Sequence, residues 1–369
     1  MGVVLAILLF SLLIFFHELG HFVAAKKFGV QVNEFALFMG PAIFKKKVGD
    51  TLYSLRCIPI GGYCAMEGED EDTDNPASFQ KAAWWKRLII LVAGAAMNFL
   101  IGLLLMTIVA MPMKNVITPE VSYLEPDCSL VAGGLEIGDE ILKIDGERLY
   151  TQSDFSMLLA MNPAEKHDLV VLRDGKKIEL NDVLFKAKVF ESDVEKAIEE
   201  NRKAGKPDPE KVEVAPRYGI TFTVEELTFF GKLRYAWFDT IDCVRTVRLS
   251  LQMLLTGKAS LNDVMGPVGV GSVMVDITKS SPDFLNTLFN MLWFGGFISV
   301  NLAVMNMLPI PALDGGRAFG LVVVTLIEKI TRKKVNPKVE AYIHGAGLII
   351  LLIFTGIVMF KDIFKIIKG

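Results

Sequence analysis

Cysteine is scarce in this chain. Four residues, Cys57, Cys64, Cys128 and Cys243, are spread over 369, and no two stand at CxxC spacing. That excludes a zinc ribbon and gives no basis for a disulfide framework. A dominant charge is missing too: 39 Lys and Arg against 42 Asp and Glu leave −3. The basic excess of a nucleic-acid binder is therefore absent, and no nucleic-acid partner is expected. No internal repeat or low-complexity tract is apparent. The N-terminal apolar run has no basic residues before it and no small-residue cleavage site after it. It reads as a retained span rather than a cleaved signal peptide.

What the chain has in abundance is apolar sequence. Hydrophobic residues make up 52%, and the mean hydropathy is +0.42. Four segments are long and apolar enough to cross roughly 30 Å of hydrocarbon. The first runs from Val3 to about Ala25 and the second is Leu88–Met111, with the polar Asn98 and the small Gly94, Ala95 and Ala96. The third is Phe284–Leu308, running on into PIPALDGG, and the fourth is Ala341–Phe360 with His344. The apolar stretch 318–330 reads as a continuation helix near the interface. The expected class is a polytopic α-helical membrane protein of about four transmembrane helices.

Basic residues set an expected orientation. Lys26, Lys27, Lys45–Lys47, Lys81, Lys86 and Arg87 flank the loop 26–87. Lys329, Arg332, Lys333, Lys334 and Lys338 lie between spans three and four. Both loops are then cytoplasmic, while residues 113–282 and both termini are extracytoplasmic. The C-terminal KDIFKIIKG, with three lysines, opposes this and is outweighed by the two larger clusters.

The loop 26–87 contains two strand-like runs, VNEFALFMGPAIFKKK and TLYSLRCIPIGGYCAM, broken by Gly40-Pro41, Gly49-Asp50 and Gly61-Gly62. They predict a hairpin sheet over 32–66 beside the membrane. The acidic stretch 67–79 reads as a solvated loop. Beyond the second span, 113–225 predicts a compact α+β domain. GGLEIGDEILKIDGERL (133–149) gives a helical turn, a glycine turn, a strand and an Asp-Gly turn, and 167–185 repeats strand, Asp-Gly, strand. SDFSMLLAM (153–161) is a short amphipathic helix, and YGITFTV (218–224) is a closing strand. The charged insertion 191–214 has few apolar anchors and reads as an exposed helix with a Pro-containing linker. Residues 226–282 form an amphipathic helical segment. Its helix over 227–255 places Phe230, Leu233, Trp237, Ile241, Val244, Val247, Leu251 and Leu254 on one side, as a helix lying on a membrane surface or packed on its neighbours would. Four regions follow: 1–112, 113–225, 226–282 and 283–369.

The chemistry concentrates in FFHELGHFVA, residues 15–24. Residues four apart share a helix face, so His17 and His21 can present two imidazoles to one ion. Glu18 stands where HExxH enzymes carry the general base that takes a proton from the attacking water. Zn²⁺ suits two neutral nitrogens and a carboxylate with a fourth position left open. Ionisable residues within a span are costly, so the cluster must face other spans or a water pocket. Capping or buried hydrogen bonding is the plainer alternative for these three residues. A third ligand is required from elsewhere. Asp314, in MNMLPIPALDGGRAF, follows Pro309 and Pro311, which break the helix before it. Broken backbone is tolerated at membrane depth only where it lines a cavity. His344 is the rival ligand.

HELGH in a first span, LDGG near the end of a later apolar segment and a small β-rich domain between them resemble the site-2 family of intramembrane metalloproteases. The likeness is closest to the bacterial regulator-of-sigma type, and it covers nearly the whole chain. It implies an intramembrane zinc endopeptidase in the bacterial plasma membrane that cleaves single-span membrane proteins, such as trimmed anti-sigma factors or signal-peptide remnants. It makes His17, His21 and Asp314 zinc ligands and Glu18 the base. Asn301 and Asn306 match positions linked to substrate handling, and the Pro309–Pro311 turn is grouped with them as a candidate substrate-binding set. The hairpin 32–66 resembles the family's membrane-associated sheet, whose free edge pairs with an extended substrate strand. The outer domain looks like a PDZ domain. GPVGVGSV (266–273) also matches a glycine-rich motif of the family. The chain departs from the family in three respects: VAGAAMNF lacks the proline that many relatives carry after its glycine, one PDZ-like unit stands where the Gram-negative type has two, and the 191–214 insertion is atypical. Two other functions fit parts of the pattern: a metal transporter or sensor, since His and Asp in spans also suit ion passage, and a PDZ-bearing scaffold with a degenerate zinc site.

Overall fold

The computed structural model describes residues 2–69, 73–162, 165–203, 215–260, 264–281, 283–333, 335 and 337–368. Residues 70–72 of the acidic stretch, 204–214 of the charged insertion and Lys334 lie outside the described residues. The chain divides into two compact units, Met1–Val109 with Cys243–Gly369, and Ala110–Asp242.

The first unit holds four helices long and apolar enough to cross a membrane: Ile7–Phe28, Trp84–Ala110, Phe284–Asn306 and Tyr342–Lys365. The first of these lies in α1 (Gly2–Phe28), which ends on Lys26 and Lys27, favourable charges at a helix C-terminus. Gly29, at φ +79°, stops the helix and turns the chain into the sheet.

That sheet is an antiparallel pair, β1 (Val32–Val48) and β2 (Thr51–Met66), closed by the Gly49-Asp50 turn. Gly40 and Gly61 were expected to break the strands. The structure instead keeps both strands continuous and places these glycines, both at positive φ, at irregularities of the register. The pairing absorbs them as bulges, which bend a strand without ending it. The base of the hairpin is buried: Val32, Phe35, Cys64 and Met66 pack with Ala24 and Ala25 of α1 and with Ile90 and Leu91 of α2 (Trp84–Ala110). The tip is exposed, with Ile43 at 71% and Phe44 at 60%.

The described ends of the acidic stretch are anchored. The Phe79 N–H donates to the Glu67 carbonyl, Gln31 N–H donates to the Ala77 carbonyl, and Ser78 and Phe79 are buried. Backbone pairing with Gln31, just before β1, supplies an anchor that composition alone does not show.

A second core joins α1 to α7 (Pro267–Ser280) and α8 (Phe284–Asn306) through Leu13, Met274, Phe294 and Ile298. The third span was expected to run on into PIPALDGG and 318–330 to continue it. The structure ends α8 at Asn306 and starts a separate amphipathic helix, α9 (Asp314–Thr331). Pro309 and Pro311 lie between them and cannot continue the ladder. The last helix, α10 (Pro337–Lys368), is only 6% buried over its apolar window. It is tied to α7 by the buried Asp362, whose Oδ2 accepts from Gly266 N and Gly269 N at 2.9 Å each. This gives the GPVGVGSV segment a structural place, since the carboxylate takes up free N–H groups at the start of α7.

The second unit is a five-membered antiparallel path with one strand appended. β3 (Asn115–Leu124), α3 (Ser129–Ala132), β4 (Glu140–Ile144), β5 (Glu147–Arg148), α4 (Gln152–Met161), β6 (Lys166–Arg173), β7 (Lys176–Leu184), α5 (Glu191–Lys203) and β8 (Ile220–Glu226) follow in order. The strands lie as β7-β6-β4-β3-β8, with β5 on β4. Val121, Leu130, Ile141, Ile144, Phe155, Leu169, Val171 and Val183 form its interior. The Asp-Gly turns sit where the sequence put them, with Asp145 and Asp174 both at φ +50°. The unit reaches Asp242 and so takes in the first half of α6 (Phe229–Leu255), beyond the expected boundary at 225. In α6 the buried stripe is Ala236, Thr240, Cys243 and Val247. Phe230, Leu233 and Trp237, expected on one side with Val247, are exposed.

Asp145 holds this unit's first Asp-Gly turn. Its Oδ2 accepts from His167 Nδ1 at 2.7 Å and from Asn162 Nδ2 at 2.8 Å, and its Oδ1 accepts from Asp168 N at 3.0 Å. Partial burial pushes its carboxyl up, but the bonds from His167, Asp168 and Asn162 outweigh it and leave the group below the usual carboxylate value. A depressed carboxylate stabilises the fold above its unfolded pKa, and that contribution disappears as pH falls through the folded value. Asp145→Asn is therefore expected to speed amide exchange in β4 and β6 at neutral pH. The difference from wild type should close as the medium is made strongly acidic, which hydrogen-exchange mass spectrometry across a pH series measures.

Candidate metal centre

His17 and His21 lie one turn apart on α1 and are 9% and 6% exposed. Their Nε2 atoms are 3.2 Å from each other. Asp314, the first residue of α9, brings Oδ2 to 2.9 Å from His17 Nε2 and 3.1 Å from His21 Nε2. Two points separated by 293 positions in the chain thus meet on one spot. Among the described residues this is the group of three or more His, Cys, Asp or Glu that could hold a metal ion, with all donor atoms within 4.8 Å. A tetrahedral ion with ligands about 2.1 Å away holds them about 3.4 Å apart. The observed separations of 2.9, 3.1 and 3.2 Å need only slight expansion to admit one. Two imidazoles and one carboxylate are also the donor set that leaves a zinc coordination position open.

The surrounding atoms support that use. His21 Nδ1 lies 2.8 Å from the Ile90 carbonyl of α2. A carbonyl only accepts, so Nδ1 carries the proton and the Nε2 lone pair faces the cluster. Glu18 Oε2 accepts from the backbone N–H of Cys64 in β2 at 3.0 Å. The hairpin therefore orients the carboxylate that sits beside the two histidines in sequence.

Close approach of α2 makes the centre possible. A Cβ on Gly94 would lie 2.3 Å from His21 Nε2 and 2.7 Å from His17 Cε1, so no larger residue fits. Gly315 and Gly316 meet the same constraint, since added Cβ atoms would lie 2.3 Å from the Met307 carbonyl carbon and 2.1 Å from the Ile310 oxygen. The α8–α9 loop thus folds directly over the residues after Asp314. An ion pair of Arg317 with Glu69 adds a tie from α9 to the segment following β2.

The other sequence-predicted residues fall into two groups. Asn306, at the end of α8, places its amide nitrogen 3.5 Å from both ring nitrogens of His17. Asn301 is engaged within its own helix, donating to Phe297 O at 2.9 Å. Pro309 is exposed in the loop, and Pro311 packs on α10, where a Cβ on Gly347 would lie 2.3 Å from its own Cβ. His344, the rival ligand, is outside the cluster: its Nδ1 accepts from Ala312 N at 3.3 Å, in the loop before Asp314. Sequence reasoning did not assign Gly94, the Ile90 carbonyl, the Cys64 N–H or Asn98 to the site. Asn98, 1% exposed, has its amide nitrogen 3.4 Å from His17 Nδ1. Its signal was a lone amide in an otherwise apolar span, and that of Gly94 was small size. The two backbone atoms have no signal in sequence.

Residues 5–354 match the model of peptidase family M50. A protein of Clostridium acetobutylicum assigned by name as a zinc metalloprotease is 34% identical over 364 residues, covering 98% of this chain and 97% of its own. A similarly named protein of Clostridium perfringens is 35% identical, with 98% of each covered. The regulator of sigma-W protease RasP of Bacillus subtilis is 25% identical over 446 aligned residues, again with 98% of each covered.

Gly94→Ala is expected to push the two imidazoles apart. Zinc content of the purified protein should fall well below one ion per chain, with helix content by circular dichroism retained.

Proposed function

The chain belongs to peptidase family M50, the site-2 proteases, and from that membership and the His17–His21–Asp314 cluster we propose that it is an intramembrane zinc endopeptidase. The observation that carries the reading is the convergence of those three donors beside α2 and α8, in a unit with four helices fit to span a bilayer. His17, His21 and Asp314 would hold the ion. Zinc bound there supplies a Lewis acid that makes water acidic and polarises a carbonyl.

The remaining chemistry falls to the chain's own groups. Glu18 is the general base: it accepts a proton from the attacking water and returns it to the departing amine. The N–H of Cys64 fixes one of its oxygens and leaves the other free for that proton. Asn306 donates to the oxygen that becomes negative as the carbonyl is attacked, a role supported by its amide lying 3.5 Å from His17. Asn301 and Pro311 act at one remove, through α8 and the loop, and Pro309 offers that loop's exposed edge. Among the described residues the two-stranded sheet leaves one edge of each strand without a strand partner. An extended segment of a single-span membrane protein adds to such an edge, which solves the problem that a helical substrate hides its peptide bonds.

Substrates are single-span membrane proteins already shortened outside, such as trimmed anti-sigma factors or signal-peptide remnants. The location is a bacterial plasma membrane. The 26–87 loop is cytoplasmic, and the Ala110–Asp242 unit, a PDZ-like domain in this reading, is extracytoplasmic with both termini. That unit acts as a size filter, and the exposed aromatic residues of α6 lie on the membrane surface.

Glu18→Gln is expected to lower cleavage of a reporter span by at least about 100-fold, the usual scale of general acid–base catalysis. It should retain about one zinc per chain, whereas Asp314→Ala loses both zinc and cleavage. Cleavage surviving in Glu18→Gln removes the base from this mechanism. Deleting 113–225 should let untrimmed substrate be cut, and unchanged selectivity of that deletion in a cell-based reporter would sink the filter.

A further inference from the structure

Both candidate ligand histidines must keep Nε2 free for the ion, so each needs its proton held on Nδ1. For His21 the holder is plain, the Ile90 carbonyl at 2.8 Å. For His17 two groups come within reach of Nδ1, the amides of Asn98 and Asn306. Asn306 stands 3.5 Å from both ring nitrogens alike, beside the ring edge rather than in line with either N–H. Asn98 is nearer to Nδ1, at 3.4 Å, and is 1% exposed. Its side-chain oxygen is buried without a hydrogen-bond partner.

That arrangement sets an amide NH₂ against an imidazole N–H while an amide oxygen nearby goes unused. The mismatch at Nδ1 is removed when the amide is turned by 180°, which brings the oxygen to the imidazole and moves the NH₂ to the place the oxygen leaves, because the two ends of an amide have the same shape and opposite hydrogen-bonding character. The oxygen then accepts the Nδ1 proton. The buried oxygen gains the partner it otherwise lacks, and that partner is the proton that must stay off Nε2. The backbone beneath is braced as well: Ser299 Oγ of α8 donates to the Asn98 carbonyl at 2.7 Å.

We infer that Asn98 is a positioning residue for the metal centre, its amide oxygen holding the Nδ1 proton of His17 as the Ile90 carbonyl holds that of His21. The inference rests on the zinc reading above. It adds α2 twice over to the centre, once through a backbone atom and once through a side chain.

The test is zinc affinity of the purified full-length protein in detergent, measured by competition with a chromophoric chelator. Wild type is expected to bind one zinc. Asn98→Leu and Asn98→Ala are each expected to weaken binding about 10- to 100-fold, the usual effect of losing such an outer partner. Asn98→Asp keeps an acceptor at the same place and is expected to bind within about threefold of wild type, since a carboxylate holds a ligand histidine at least as well as an amide. Helix content by circular dichroism is checked for each, and the Ala variant decides if Leu fails to fold. Zinc binding by Asn98→Ala equal to wild type overturns the inference. So does an Asp variant as weak as Ala, which would mark the amide as packing only. A wild-type protein that takes up no zinc overturns the zinc reading and this inference with it.

Discussion

Everything in the first unit serves to bring one carboxylate oxygen against two imidazole nitrogens. Three polar groups of this kind in a membrane span are unfavourable unless they meet one another or an ion. His17 and His21 come as a pair because a helix repeats every 3.6 residues. Asp314 has to be delivered from the other end of the chain. Its delivery explains the break after α8, the prolines in the loop and the two glycines that follow the aspartate, for the loop lies against the first turn of α9. It explains the glycine at 94 too, since α2 must pass within contact distance of both rings. A side chain at Gly94 would enter the space that the cluster occupies, and one at Gly315 or Gly316 would strike the α8–α9 loop.

The supporting atoms come from three further elements, each by a different means. α2 offers a backbone carbonyl, β2 a backbone N–H and α8 the amide of Asn306. A strand beside the helix bundle can do what another helix cannot. A helix interior spends its N–H groups on its own ladder, whereas a bulged two-stranded hairpin has N–H groups left to donate. The β1–β2 sheet therefore does two jobs in the proposed enzyme: it orients Glu18 and presents an edge to an extended chain.

Much of this was legible in the sequence. Four apolar runs gave the candidate spans, the Asp-Gly dipeptides gave the turns of the second unit, and HELGH gave the two histidines that meet Asp314. Asp314 was legible because prolines and glycines gather around it in an apolar region where they have little other use. What escaped were contributions with no residue identity, such as the carbonyl of Ile90, and contributions whose type is ambiguous, such as Asn98 and Gly94. Helix α6 was legible in part: Phe230, Leu233 and Trp237 are exposed, as residues lying on a membrane surface would be, while Val247 of the same expected side is buried with Ala236, Thr240 and Cys243. The anchors of the acidic stretch's described ends, main-chain bonds to Gln31 and Glu67 and the Arg317–Glu69 ion pair, reach partners that its composition does not reveal.

Helix α10 touches little, yet it is pinned near both ends of its apolar stretch. Gly347 seats Pro311, and His344 accepts from Ala312, in the loop just ahead of Asp314. Fifteen residues further on, Asp362 clasps the start of α7. At 1.5 Å per residue those two attachments are about 22 Å apart. A single, mostly exposed helix thereby joins the loop just ahead of Asp314 to the start of α7, two segments that lie far apart in the chain.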